Sequence, residues 1–289
     1  MLEQLPHIIM NHVEYTYPNG TIALKDISLN ISRGEFIGIM GSNGAGKSTL
    51  VKTLNGLIRP QNGLIFINGE NNNSKTIAEL SKKVGIVFQN PDHQLFSNSV
   101  REEIRFSLKA IIDDKESLQE KVDEVLDKFY LKEFENRSPL TLSGGQKKRL
   151  ALASVICRDP EILIFDEPTL GQDRNGVEFF INLLKKEQNN HKTIIIITHN
   201  IEFSYEFIPR TILMFDGKIA GDGPTREILQ NKELMERTSL ILPQIIQLRT
   251  SLLEMGLKVP LNISTQEEMI DFFITIFTSS INDNHMEEN

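Results

Sequence analysis

The chain has 289 residues, 39% of them hydrophobic and 24% charged, which places it among ordinary folded proteins with one large domain or two smaller ones. Its net charge of −8 speaks against a nucleic-acid backbone as partner, because such a partner demands a basic face. A single cysteine, Cys157, excludes an intrachain disulfide and a multi-thiolate zinc site, and the six histidines form no HxxxH or HExxH pair.

The first ten residues carry neither the basic nor the long apolar segment of a signal peptide. Ile27, Leu29 and Ile31 alternate with Ser28, Asn30 and Ser32, which predicts a half-buried strand. A continuous apolar run at 36–40 follows, then a helical stretch at 47–55 closed by Gly56. Two Asn-Gly pairs bracket a short strand at 64–67. Three more runs (84–88, 162–165 and 193–198) are continuous rather than alternating, as strands covered on both faces of a parallel α/β sheet are. Helices are expected at 115–129, where Leu118, Val122, Val125, Leu126 and Phe129 form a stripe, and at 146–158. Asp216-Gly217 between 212–215 and 218–220 reads as a hairpin turn. From Thr225 the pattern is helical and acidic: residues 221–289 hold 5 basic and 11 acidic side chains. Ser264 to Glu267 offers a capping box for a last short apolar helix, and the polar tail 282–289 is expected to fray. No run approaches the roughly 20 apolar residues of a membrane span; the densest late one, 269–277, is interrupted by Asp271.

Gly41-Ser42-Asn43-Gly44-Ala45-Gly46-Lys47-Ser48 fits GxxxxGK[ST] in full, after an apolar strand and before a helix. The glycines let successive N–H groups turn toward one concavity at a helix start, where anions are favoured. Lys47 is placed for the β- and γ-phosphates of ATP and Ser48 for Mg²⁺, with Thr49 next on the helix. The run 162–165 ends in Asp166-Glu167, at the carboxyl edge of the sheet where α/β ligands bind. Asp166 is a candidate Mg²⁺ ligand through water, and Glu167 a candidate general base toward an attacking water.

Leu142-Ser143-Gly144-Gly145-Gln146 narrows the choice among phosphate-loop proteins. It resembles the signature of ATP-binding cassette (ABC) ATPases, and the order of phosphate loop, Gln89, LSGGQ, Asp166-Glu167, Asp173 and His199 is similar to that family over about residues 8–223. The resemblance implies an α/β P-loop NTPase with a mixed, largely parallel core sheet, an N-terminal antiparallel β subdomain, a helical subdomain at 91–158 and a C-terminal helical extension at 225–289. It implies that two cassettes pack head to tail, so that the signature acts on the ATP of the partner. Gln89 then stands as the Q-loop glutamine near Mg²⁺ and water, His199 as the switch histidine at the γ-phosphate, Asp173 as the residue bridging the two sites, and Tyr17 as the aromatic stacking on adenine, with Tyr15 its rival. Three positions depart from the family: Gln172 stands where an apolar residue is usual, Arg174 where proline is common and Asn200 where aspartate is. None removes a catalytic group.

Phe88-Gln89-Asn90-Pro91-Asp92-His93-Gln94-Leu95-Phe96 and the later Leu242-Pro243-Gln244 resemble energy-coupling factor (ECF) importer ATPases. That implies a peripheral subunit on the cytoplasmic face of a membrane, joined to a transmembrane T component and a substrate-binding S component that takes a vitamin or a cobalt or nickel ion. Region 91–140, with Leu95, Phe96, Val100, Ile104 and Leu108, is expected to dock the membrane partner. The extension is expected either to pair with its counterpart in a second ATPase or to cap its own chain. Another ABC importer ATPase, a soluble repair or translation cassette and a non-hydrolysing scaffold are the alternatives. Only 95 residues separate Lys47 from Leu142, without the sustained heptads of a repair coiled coil.

Overall fold

The computed structural model describes residues 6–260 and 262–286. The elements in chain order are β1 (Ile8–Thr16), β2 (Ile22–Ile31), β3 (Phe36–Met40), α1 (Lys47–Leu54), β4 (Asn62–Ile67), β5 (Glu70–Asn71), α2 (Ile77–Lys83) and β6 (Val84–Val87). Then come α3 (Val100–Leu108), α4 (Lys115–Lys128), α5 (Gly144–Ile156), β7 (Ile162–Asp166), α6 (Arg174–Asn189), β8 (Thr193–Ile197) and α7 (Ile201–Phe207). The chain closes with β9 (Arg210–Phe215), β10 (Lys218–Pro224), α8 (Thr225–Gln230), α9 (Lys232–Arg237), α10 (Gln244–Glu254) and α11 (Gln266–Met286).

Two sheets form. An antiparallel sheet runs β2-β1-β4-β5, and a six-stranded sheet runs β10-β9-β3-β8-β7-β6, parallel except for the β9–β10 hairpin at one edge. The continuous apolar runs are explained by this arrangement, since successive side chains on a strand alternate faces. Leu163 and Phe165 of β7 and Ile194 and Ile196 of β8 join the core under the helices α3–α6. Ile162 and Ile164, with Ile195 and Ile197, join the core between the two sheets. Both faces are covered, so every position must be apolar.

The extension packs on its own chain. Leu229, Met235, Ile245, Ile246, Val259, Ile263 and Met269 share one core with Met40, Ile201, Tyr205 and Leu213. Ile241, Leu248, Leu253, Met255, Leu257, Ile270 and Ile274 stay exposed. Among the described residues no helix is long and apolar enough to cross a membrane.

Several boundaries differ from the sequence reading for identifiable reasons. The last capping box is Thr265–Glu268, one residue later: the Thr265 hydroxyl accepts from Glu268 N–H at 3.1 Å, and the Glu268 carboxylate accepts from Thr265 N–H at 3.0 Å. The helix it opens is long, 21 residues, and it carries 282–286 of the tail expected to fray. Residues 287–289 and the first five residues, on which the leader reading partly rests, lie outside the described residues. Of the apolar side chains expected to face a partner, Leu95, Val100, Ile104 and Leu108 are buried in the helical subdomain's own core. Phe96 alone of the five stays out, 66% exposed and edge-on to Phe106 at 4.9 Å.

Candidate functional site

Register brings the site together. Ile39 pairs with Ile197, and Ile197 pairs with Asp166, so the carboxyl ends of β3, β7 and β8 lie side by side. The phosphate loop, Asp166-Glu167 and Thr198-His199 follow those three ends. Gln89 follows the end of β6, the neighbour of β7.

The loop after β3 is closely fitted. A Cβ on Gly41 would stand 2.2 Å from the Met214 carbonyl oxygen, and one on Gly46 2.4 Å from that of Ala23. Both glycines hold positive φ, 143° and 101°, so glycine is required twice over at each. Gly46 is the N-cap of α1, which has no side-chain cap and no acid in its first turn. The helix start therefore keeps its free N–H groups and partial positive charge for an outside anion. Lys47 donates to the carbonyl oxygens of Gly41 at 2.7 Å and Ser42 at 3.0 Å, which holds its ammonium inside the loop. Burial pushes the Lys47 pKa down, and the Glu167 and Asp166 charges oppose that.

A cleft of about 250 Å³ opens beside the loop, lined by Tyr17, Thr21, Ala23 and residues 43–49. The Tyr17 hydroxyl lies 2.9 Å from Thr49 Oγ1. Tyr15 meets the Tyr17 ring edge-on at 5.0 Å and packs against the inter-sheet core instead.

The Ser48 hydroxyl donates to Asp166 Oδ2 at 3.3 Å, joining the phosphate loop to β7. Burial, and then the adjacent Glu167 charge, raise the Asp166 pKa; the Ser48 bond, Lys47 and Lys52 offset part of this. Hydroxyl and carboxylate here form a hard oxygen donor pair of the kind Mg²⁺ prefers. Glu167 is 8% exposed and sits at φ 48°. Its carboxylate accepts from the Thr198 hydroxyl at 3.1 Å and from His199 N–H at 3.0 Å, and lies 2.6 Å from His199 Nδ1. A carboxylate oxygen accepts, so in this contact His199 Nδ1 is the donor. Three donors occupy three of the carboxylate's roughly four lone-pair sites.

Gln89, Lys148, Asp166, Glu167 and Pro168 line a cavity of about 20 Å³, room for one water molecule. Sequence reasoning missed one member of this group, Lys148, and one further partner of Glu167, Thr198. Lys148 donates to the Leu170 carbonyl, tying α5 to the loop after Glu167; burial lowers its pKa and the Glu167 charge opposes that. Its signal was its place two residues past LSGGQ. Thr198 ends an apolar run with a hydroxyl, which was the only sign of its bond to Glu167.

Gly144 and Gly145 of the signature lie within α5 rather than ahead of it. Ser143 is the N-cap: its hydroxyl accepts from Gln146 N–H at 3.3 Å, and Gln146 Oε1 accepts from Ser143 N–H at 2.9 Å. This capping box draws Gly144 and Gly145 into the first helical turn, which corrects the expected start at Gln146. Leu142 is buried beneath it. Gly144 and Gly145 have no positive φ, and a Cβ on either would meet nothing within 4 Å. Asp173 caps α6, accepting from Gly176 N–H at 2.8 Å. Two of the departures have local reasons. Asn200 caps α7 by accepting from Phe203 N–H, which either Asn or Asp can do, and Arg174 is the first residue of α6, where proline is favoured but not needed.

The ABC transporter family pattern matches residues 24–170. An energy-coupling factor transporter ATP-binding protein, EcfA2, of Acetivibrio thermocellus is 40% identical over 252 residues, covering 85% of this chain and 89% of its own. The structure of cbiO1 from Clostridium perfringens, part of the ABC transporter complex cbiONQ, superposes with a TM-score of 0.70 at 35% identity, over 85% of this chain and 99% of that one. The ATP-binding cassette MJ0796, a dimer in a post-hydrolysis state bound to ADP and Pi, superposes with a TM-score of 0.69 at 31% identity, over 76% and 99%. Some relatives are longer: the chain spans 42%, 44% and 65% of proteins from Methanosarcina acetivorans, Methanosarcina mazei and Methanospirillum hungatei that it matches at 39%, 38% and 41% identity. With a phosphate loop, strand-end carboxylates and capped LSGGQ helix on this fold, the chain belongs to the ABC transporter family.

Proposed function

We propose that the chain is the ATP-hydrolysing subunit of an ECF-type importer, working as a pair of cassettes with each ATP held between one phosphate loop and the other's LSGGQ turn. The observation that carries this reading is the bare N-terminal turn of α5. Glycine is a poor helix former, and neither conformation nor neighbours within the chain require it at 144 or 145. Two unneeded glycines at a helix start leave room for an outside anion to approach the backbone N–H groups closely. The second cassette is identical or paralogous.

In this reading residues 43–49 bind the phosphates, Lys47 offsets their charge and Tyr17 receives the base in the cleft. Ser48, Asp166 and Gln89 hold Mg²⁺, which when bound polarises the phosphate oxygens. Glu167 takes the proton of water through its remaining lone pair, and His199 and Thr198 fix its carboxylate. Ser143, Gly144 and Gly145 of the partner's α5 stabilise charge on the transferring group, and Asp173 lies between the two sites. Closing and opening of the pair then drives the membrane subunits by differential binding of its two states.

The chain sits peripherally on the cytoplasmic face and docks a T component through the surface of 91–140, where Phe96 and Phe106 form one exposed apolar pair. An S component carries the vitamin or metal ion, which the ATPase does not touch. The exposed face of the extension, including Ile270 and Ile274, pairs the two ATPases without nucleotide. Glu167→Gln tests the hydrolytic reading: ATP-bound pairs should accumulate and phosphate release should stop. Rapid phosphate release by that variant removes Glu167 from the base role.

A further inference from the structure

The segment 90–94 is a short turn between Gln89 and α3 in which the side chains of Asn90, Asp92 and Gln94 have partners inside the chain. Asn90 caps it, accepting from Asp92 N–H at 3.0 Å, and Pro91 starts the turn. Asp92 pairs with Lys147 at 2.7 Å, one residue past the signature. Gln94 is placed between two elements. Its Oε1 accepts from Phe88 N–H, beside Gln89, at 3.4 Å. Its Nε2 donates to the Ala151 carbonyl at 2.8 Å and to the Ser154 hydroxyl at 2.9 Å, both on α5. Ser154 is buried and itself donates to the Ala151 carbonyl. A carboxamide can both accept from the strand exit and donate twice to the helix; an ionised carboxylate cannot donate, and a thioether cannot donate and accepts only weakly.

We propose that Gln94 is a positioning residue that, with the Asp92–Lys147 pair, clasps the Q-loop to the signature helix so that the two move together. A displacement of Gln89 toward nucleotide bound in its own cassette is passed to the middle of α5 through Gln94 and to its first turn through Lys147. Because the first turn of α5 serves the partner's nucleotide, the clasp couples one ATP site to the other. Lys148 extends the same strut to the Leu170 carbonyl, beyond Glu167. The proposal rests on the nucleotide-binding reading above, and its test separates the two.

Hydrogen–deuterium exchange on the full chain, with and without Mg²⁺ and a non-hydrolysable ATP analogue, reads both ends of the clasp. In the wild type, analogue should change exchange at 41–49 and at 143–150. In Gln94→Met, which keeps the volume but none of the bonds, the change at 41–49 should persist with analogue affinity within about twofold, while the change at 143–150 falls by roughly half or more. Asp92→Lys should weaken the response at 143–150, and Asp92→Lys combined with Lys147→Asp should restore it. That exposed pair carries the test if Gln94→Met lowers Tm enough to compromise folding. A response at 143–150 in Gln94→Met equal to wild type, a wild-type α5 that ignores analogue, or a charge swap that restores nothing overturns the clasp. Absence of any change at 41–49 in the wild type overturns the nucleotide-binding reading, and the clasp with it.

Discussion

Gly145→Ala sets folding and function against each other, because the structure assigns opposite signs to them. Within the chain the substitution should be favourable. Gly145 lies in the first turn of a 13-residue helix without positive φ, and its new Cβ has no neighbour within 4 Å. Replacing glycine by alanine at such a site stabilises by about 0.4–1 kcal/mol, largely by restricting the unfolded chain. For a chain of this size that is a rise in Tm of about 2–4 °C at most. In the proposed pair the methyl would enter the space where the partner's nucleotide meets the α5 N–H groups. Loss of one donor to charge developing in a desolvated site costs about 3 kcal/mol, roughly a hundredfold in turnover. Thermal unfolding of the purified chain and phosphate release by the ATPase pair measure the two effects. Turnover within about threefold of wild type would refute the trans-acting signature, because nothing inside the chain then accounts for the glycine. A fall in Tm would refute the claim that the position is free of internal demands.

Thr198→Val keeps the shape but removes the hydroxyl that donates to Glu167 at 3.1 Å and accepts from Asn200 N–H at 3.0 Å, so it should cost about 1–3 kcal/mol in unfolding free energy and lower kcat more than it raises KM. Burial pushes the Cys157 thiol up to about 12, so a thiol reagent at pH 8 should label it only after denaturation. The unfolded thiol ionises near its ordinary value of about 8.5, so above that pH the unfolded state binds fewer protons than the folded one. Cys157 therefore makes stability fall from about pH 9 toward 12; Cys157→Ala should flatten that limb in a pH series of urea melts, and an unchanged slope would contradict this. Deleting 225–289 would uncover Met40, Ile201, Tyr205 and Leu213, so it tests folding as much as pairing. Ile270→Asp with Ile274→Asp, both 56% exposed, should leave Tm within about 2 °C and abolish pairing in the absence of nucleotide by light scattering; an unchanged dimer rules out this face.

The core strands were legible because burial on both faces leaves a continuous apolar signature, and the site was legible because its residues follow strand ends that register aligns. What sequence could not show was which partner each polar group would take. Gln146 read as the last residue of the signature and the first of a helix, and it is found closing a capping box with Ser143. Asp173 read as a link between sites, and within the chain it caps α6. Leu95, Val100, Ile104 and Leu108 looked available to a membrane partner, yet a helical period of apolar residues is satisfied equally by an internal core. Lys148 and Thr198 were missed because a lysine on a helix and a threonine ending a strand are common, and only the tertiary fold places them at Glu167.

The treatment of helix starts separates structural from functional demands. Among the described residues eight α-helices begin on a side-chain cap: Thr76, Ser99, Asp114, Ser143, Asp173, Asn200, Asn231 and Thr265 each accept a hydrogen bond from their own first turn. Each such cap stabilises by about 1 kcal/mol. Helices α8 and α10 begin after proline, whose fixed φ serves the same entry. Helix α1 has neither device, and it starts from a glycine in left-handed geometry at the end of the central strand β3. A chain that caps its other starts so consistently has forgone that stability where Lys47 and the loop already converge. Helix α5 keeps its cap but spends its next two positions on glycine, the weakest helix former after proline. Local stability is given up at these two helix starts, one beside Asp166-Glu167 and one on the outer turn of α5. Sequences depart from local consistency at functional positions, and two such departures on one chain are what an anion gripped from both sides requires.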